Sequence, residues 1–186
     1  MTYLYLIRHG ETDWNVEGRW QGHADVPLNE RGLQQAAHIA QQLSRAGLAA
    51  IYSSDLQRAL DTARALSAAT RLPVQTDPRL REINQGEWQG LLAEEVEARY
   101  GEILRLRRLD PLDAGPPGGE TVKQVLDRVI AAIEEIRRKH PLERVAVVSH
   151  GFALALVRVH YQDYPLNEVW KLIPPNDQWL EMELAS

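Results

Sequence analysis

Met1-Thr-Tyr-Leu-Tyr-Leu-Ile-Arg-His-Gly-Glu-Thr12 decides the fold class of this 186-residue chain. Tyr3 to Ile7 are apolar or aromatic at every position, as in a strand covered on both faces. The character changes at Arg8-His9-Gly10, where a guanidinium, an imidazole and a flexible glycine follow one another. In open α/β sheets ligands bind beyond the carboxyl ends of the strands. His9 is therefore read as a nucleophile, and Arg8 as the group that holds the anion it attacks.

Outward from that strand the pattern alternates. Gly10 to Pro27 is a long loop carrying Trp14 and Trp20, and loops of this length inside compact domains are usually functional. Asn29 reads as a helix cap ahead of an apolar stripe of Leu33, Ala36, Ala37, Ala40 and Leu43, with Gly47 as its C-cap. Ala49 to Tyr52 is a short strand. Asp55 reads as the start of a second helix, Leu56 to Ala68, and Pro73 to Thr76 as a third strand. This βαβαβ order predicts a parallel sheet with crossover helices, in a three-layer αβα sandwich. Thr121 to Lys139 has the clearest helical stripe, from Val122 to Ile136. Arg144 to Val148 is a β-branched strand, and Phe152 to His160 a helix. Val169 to Ile173 and Trp179 to Leu184 read as two last strands around Pro174-Pro-Asn-Asp177.

The stretch from about 84 to 119 reads as a loop or flap insertion within one domain spanning 1–186. Leu91 to Tyr100 and Glu102 to Leu109 are expected to be helical. Asp110 to Gly119, with three prolines and three glycines, is expected to be an exposed flap.

Composition narrows the function classes. The chain has no cysteine, so neither a disulfide framework nor a thiolate metal site is expected. No run is apolar enough for a membrane span, and no leader pattern precedes the first strand. A cytoplasmic protein without membrane or nucleic-acid partners is the expectation. The net charge of −5 means that attraction of an anion must come from a local cluster.

That cluster is visible in three strand ends: Arg8-His9-Gly10, Ser53-Ser54-Asp55 and Ser149-His150-Gly151. On a parallel sheet they could meet at one edge, where helix N-termini also favour anions. Arg58, one turn into the second helix, can point back over that edge. Two guanidiniums and two imidazoles suit a phosphoryl group. Arginine binds its oxygens bidentately, a neutral histidine can attack phosphorus, and a protonated one can stabilise the transition state. Glu82, beside Leu80 and Ile83, is the candidate proton donor, its pKa raised by partial burial.

Arg8-His9-Gly10-Glu11-Thr12, with Asn15 behind it, resembles the signature of the histidine phosphatase superfamily, in the branch of cofactor-dependent phosphoglycerate mutases and related phosphatases. Pro27-Leu-Asn-Glu-Arg-Gly32, Ser53-Ser-Asp-Leu-Gln-Arg-Ala59, Leu80-Arg-Glu82, Pro117-Gly-Gly-Glu120 and Val148-Ser-His-Gly151 continue the resemblance in order. It implies a phosphoglycerate mutase-like fold and hydrolysis of small phosphate esters, with no metal or cofactor. His9 would be phosphorylated. Arg8, Arg58 and His150 would line the phosphate pocket. Glu82 would protonate the leaving oxygen and then activate water. Asn15 and Gln21 would touch the phosphoryl group or nearby substrate, and Gly151 would offer a backbone amide.

A mutase is the alternative enzyme, and a non-catalytic binding protein of the same fold a lesser one. Only about three dozen residues separate Glu82 from Gly119 (119 − 82 = 37), little room for a mutase cap, and Gln21 resembles the phosphatases. Sugar phosphates, phosphoglycerate derivatives, phosphoserine and α-ribazole phosphate are the substrates such enzymes accept, as monomer or homodimer. His23 belongs to no motif and stays outside the expected site. Arg105, Arg107 and Arg108 read as a solvated helix face, with a minority reading in which one of them binds a second anionic group of the substrate.

Overall fold

Strand ends can form a site only if the strands are neighbours, and the register makes them so. The computed structural model describes residues 1–109 and 112–185. Its strands are β1 (Thr2–Arg8), β2 (Leu48–Ser53), β3 (Val74–Thr76), β4 (Arg144–Ser149) and β5 (Trp179–Leu184). They form one sheet in the order β3-β2-β4-β1-β5. All neighbours are parallel except β5, which runs antiparallel to β1. Arg8 lies opposite Ser149, and Ser53 opposite Val148. The three polar strand ends therefore share one edge.

The two-residue period of a strand sorts the core into two layers. Leu4, Leu6, Val145 and Val147 face α5 (Val122–Lys139) and α6 (Gly151–Tyr161). Tyr5, Ile7, Ala146 and Val148 face α2 (Glu30–Leu43) and α3 (Gln57–Thr70), which follow α1 (Asp13–Glu17). This is the expected αβα sandwich with a mostly parallel sheet. Among the described residues no helix is long and apolar enough to cross a membrane.

Several local expectations are corrected. Val169 to Ile173 is not a strand: Leu166–Leu172 forms a 3-10 helix. Its buried residues, Val169 and Leu172, are three apart, the period of that helix, and Trp170 packs its ring 4.6 Å from Phe152. Asp55 does not cap α3. It forms a two-pronged ion pair with Arg81, and the first amide of the helix, on Gln57, is accepted by Asp25 at 2.7 Å. Leu33 lies on the outer face of α2 and is 55% exposed. Gly47 is not the C-cap of α2, which ends at Leu43 and Ser44. Its φ of +70° instead turns the chain into β2. The long loop after β1 holds α1, whose Thr12 and Asn15 form a reciprocal capping box.

The insertion is more ordered than a flap. A 3-10 turn at Gly86–Trp88 precedes the helix α4 (Ala93–Leu109), which is kinked at Tyr100 beside Gly101. Asp110 and Pro111 lie outside the described residues. From Leu112 onward the supposed flap is tied down: Pro116 is buried, Glu87 N–H donates to Pro117 O at 3.0 Å and Glu120 N–H to Asn84 O at 2.9 Å. These bonds fasten it to the segment that follows Glu82.

The loop carrying His9 is fixed by a backbone contact between Gly10 and Gly32 at the start of α2. A Cβ on Gly32 would collide with the Glu11 carbonyl, and one on Gly10 with the Gly32 carbonyl. Asn29 completes the junction, accepting from Gly32 N–H at 2.8 Å and donating to Glu11 Oε1 at 3.1 Å. Gly32→Ala is expected to destabilise the protein by about 1–3 kcal/mol through overpacking, whereas Leu33→Ala next to it should change stability by no more than ~0.5 kcal/mol. Urea unfolding of the two variants checks this; equal midpoints would remove the glycine junction as a constraint.

Candidate active site

A cavity of about 140 Å³ opens at the shared edge, lined by Arg8, His9, Asn15, Arg19, Gln21, Gly22, Arg58, Glu82 and Gln85. His9 sits at the end of β1, its amide donating to Ser149 O at 3.0 Å. Its Nδ1 lies 2.7 Å from the Gly10 carbonyl oxygen. A carbonyl only accepts, so Nδ1 carries the hydrogen and Nε2 keeps its lone pair. Burial, then the nearby Arg58 and Arg8, push His9 well below the ordinary histidine value of 6.5. The ring is neutral at neutral pH, which is what a nucleophile requires.

Two guanidiniums flank it. Arg8 donates from Nη1 to Pro174 O at 2.9 Å. Arg58 is fully buried and donates to Ala24 O and Gly22 O, both at 2.7 Å. Among the described residues neither forms an ion pair. Arg8 Nε and Arg58 Nε are buried without a hydrogen-bond partner. Burial lowers the pKa of Arg58 to about 10, with Glu82 and Asp25 opposing the shift. Both arginines stay charged at neutral pH.

His150 follows β4, with its ring centroid 5.1 Å from that of His9. Its Nε2 is 2.8 Å from Ser54 Oγ, which also accepts from Leu56 N–H at 3.3 Å. The serine hydrogen is free to donate to Nε2, and in that tautomer the unpartnered Nδ1 carries the ring hydrogen and can donate to an oxygen. Burial and the charge of Arg58 push His150 well below 6.5. The protonated second imidazole expected from sequence is therefore not its resting form. Neutral His150 can still donate one hydrogen bond.

Glu82 reaches the cavity, but not as an apolar-enclosed acid. Its carboxylate accepts from three amides: Ile83 and Phe152 at 3.0 Å and Ala153 at 3.1 Å. The last two belong to the first turn of α6, where the helix favours an anion. Gly151 opens α6 and packs against Ile173 and Arg8. A Cβ there would meet Ile173 and come within 3.4 Å of the Arg8 guanidinium, so the glycine makes room for Arg8. Asn15 lines the cavity, yet its Oδ1 is committed to Thr12 N–H at 3.1 Å. Gln21 lines it with a buried Oε1 that lacks a partner.

A family model for the histidine phosphatase superfamily (branch 1) matches residues 4–186. The chain belongs to the histidine phosphatase superfamily. Phosphoserine phosphatase 1 of Hydrogenobacter thermophilus is 39% identical over 170 residues, covering 91% of this chain and 81% of the relative. A probable phosphoglycerate mutase of Proteus mirabilis is 38% identical over 158 residues, 83% of this chain and 72% of its own. The structure of mycobacterial glucosyl-3-phosphoglycerate phosphatase with VO3 superposes with a TM-score of 0.88 at 34% identity, over 97% of this chain and 90% of that one.

Within this histidine phosphatase some site residues escaped the sequence reading. Ser54 lay inside a quoted motif, and its contact with His150 was the missing signal. Gln85 had no motif. Arg107 was assigned to a solvated face and is instead wholly buried, with rings of Trp20, Trp88, Phe152 and Trp170 at 5.0–5.7 Å. The kink at Tyr100 helps turn Leu104 and Arg107 inward while Arg105 and Arg108 stay exposed. Among the described residues no three His, Asp or Glu side chains are grouped to hold a metal ion.

The lowered histidine values carry a sign. Unfolded, each ring titrates near 6.5; folded, each does so well below. The unfolded chain binds more protons between those values, so stability rises with pH through that window and falls as pH drops below about 6.5. NMR of the imidazole carbons should find His9 and His150 neutral at pH 6. Ordinary titration of His9 near 6.5 would contradict the charge balance described.

Proposed function

We propose that His9 is the nucleophile of a metal-independent phosphomonoesterase that hydrolyses small phosphate esters through a phosphohistidine. The carrying observation is a neutral imidazole, oriented by the Gly10 carbonyl, beside a buried and a half-buried guanidinium that, among the described residues, have no carboxylate partner.

In the first step His9 Nε2 bonds to phosphorus as the ester P–O bond breaks. Arg8, Arg58 and the Nδ1–H of His150 stabilise the equatorial oxygens. The departing alkoxide takes a proton from Glu82, which enters the step as the carboxylic acid. In the second step Glu82 takes a proton from water, whose oxygen bonds to phosphorus as the P–N bond breaks. Inorganic phosphate leaves, and the nitrogen lone pair of His9 is restored. Splitting one displacement into two is the gain from covalent catalysis.

The leaving group is read from Arg107. Its one hydrogen bond is a long one, 3.3 Å from Nη1 to Gln85 Oε1, while Nε and Nη2 are buried and unpartnered. Gln85 also lines the catalytic cavity. A buried cation without an anionic partner is unfavourable, and the Nε–Nη2 edge is the fork that fits a carboxylate. Arg81, Arg128 and Arg137 each present that edge to a carboxylate elsewhere in this molecule. We therefore favour esters whose alcohol carries a carboxylate, as phosphoserine and phosphoglycerate derivatives do.

His9→Ala is expected to reduce p-nitrophenyl phosphate hydrolysis at least ~10³-fold, with wild-type activity persisting in EDTA. Loss of activity in EDTA would sink the metal-independent reading. Arg107→Met is expected to lower kcat/KM for 3-phosphoglycerate by ~10-fold or more relative to glycerol 3-phosphate, since the pair differ only in the carboxylate. An unchanged ratio would remove Arg107 from substrate recognition. The mutase reading draws on relatives that bear that name; phosphoglycerate interconversion stimulated by 2,3-bisphosphoglycerate would install it instead.

A further inference from the structure

We propose that His23 is a positioning residue for Glu82, coupling the acid to the arginine that holds the phosphoryl group. The inference rests on the role just assigned to Glu82. His23 sits in the loop after α1, and its Nε2 lies 2.8 Å from the Glu82 carbonyl oxygen. The carbonyl only accepts, so Nε2 carries a hydrogen and donates it. The backbone of His23 is fixed as well, its amide donating to Gln89 Oε1 at 2.6 Å.

The neighbours of His23 give this contact its meaning. Gly22 O and Ala24 O are the two carbonyls that hold the Arg58 guanidinium. Asp25 accepts from Gln57 N–H at the start of the helix bearing Arg58. Within four consecutive residues, Gly22, Ala24 and Asp25 therefore serve Arg58 and its helix, and His23 between them serves the turn that carries the acid. The packing leaves little slack, because a Cβ on Gly22 would press on Gln85 N at 2.7 Å.

Arg128 of α5 supports the same turn and donates to the same Glu82 carbonyl oxygen. It donates to the carbonyls of Arg79, Arg81 and Glu82 at 2.7–2.8 Å and pairs with Glu120, which accepts from Asn84 N–H. The Glu82 carbonyl oxygen thus accepts from both His23 and Arg128, which together clamp the peptide. The clamp acts on the backbone, while the carboxylate rests on the amides of α6. Near 3 Å a small displacement of a proton donor has a large effect on the rate of transfer.

The test exploits the leaving group. An alkyl alcohol needs its proton during P–O cleavage; 2,4-dinitrophenolate does not. kcat/KM, which covers only the steps up to phosphohistidine, is measured for glycerol 3-phosphate and 2,4-dinitrophenyl phosphate with wild type, Glu82→Gln, His23→Leu and His23→Gln. His23→Leu is expected to lose about 10–100-fold on the alkyl ester and no more than ~2-fold on the aryl ester, and to be non-additive with Glu82→Gln. His23→Gln, which keeps a donor near Nε2, should recover most of the alkyl activity. Equal losses on both esters, or no loss, would reduce His23 to a structural residue and overturn the proposal. If Glu82→Gln itself shows no dependence on leaving group, the role of Glu82 fails first, and the proposal with it.

Discussion

Concentrated positive charge at one sheet edge is the constraint around which this molecule is built. Arg58 is buried and Arg8 half-buried beside two imidazoles, and among the described residues neither arginine has an ion pair. Burying even one unpaired charge is unfavourable by several kcal/mol. Backbone carbonyls of Pro174, Gly22 and Ala24 share the compensation, from segments far apart in sequence. Partial negative charge from carbonyls holds the guanidiniums without neutralising them, so the field remains available to an incoming dianion. Burial first, and then this field, keep both histidines in their neutral forms. The whole chain is acidic, with a net charge of −5, so this field is local.

Much of this was legible in the sequence, because it depends on short-range pattern. The all-apolar run of Tyr3 to Ile7 required a sheet covered on both faces, and the polar breaks at Arg8, Ser53 and Ser149 marked its carboxyl edge. What was not legible depends on partners distant in sequence. Val169 to Ile173 has strand-like composition, but β5 already occupies the free edge of β1, and the segment packs on α6 instead. Arg107 sits among charged residues and looks solvated until four aromatic rings from separate elements close around it. Glu82 invited an apolar setting from Leu80 and Ile83; the amides of Phe152 and Ala153, some 70 residues away, decide its surroundings.

The first turn of α6 shows one structural resource being divided. A helix N-terminus beside a phosphate pocket would ordinarily be assigned to the phosphate. Here the amides of Phe152 and Ala153 hold the carboxylate of Glu82, and Gly151 leaves room for Ile173 and Arg8. In the proposed mechanism the phosphoryl group falls to the side chains of Arg8, Arg58 and His150, so it and Glu82 would not compete for the same donors.

The turn between the last 3-10 helix and β5 does more than close the sheet. Pro174 O accepts from Arg8, and Asn176 Nδ2 donates to His9 O at 2.7 Å. The residues proposed to meet phosphate lie on β1, at the end of β4, at the start of α3 and in the loops between, all before residue 152. The two contacts that aim the first pair of them come from residues 174–176. Arg8 and His9 therefore take part of their orientation from a turn 166 and 167 residues further along the chain, so the geometry of the site depends on both ends of the sequence at once.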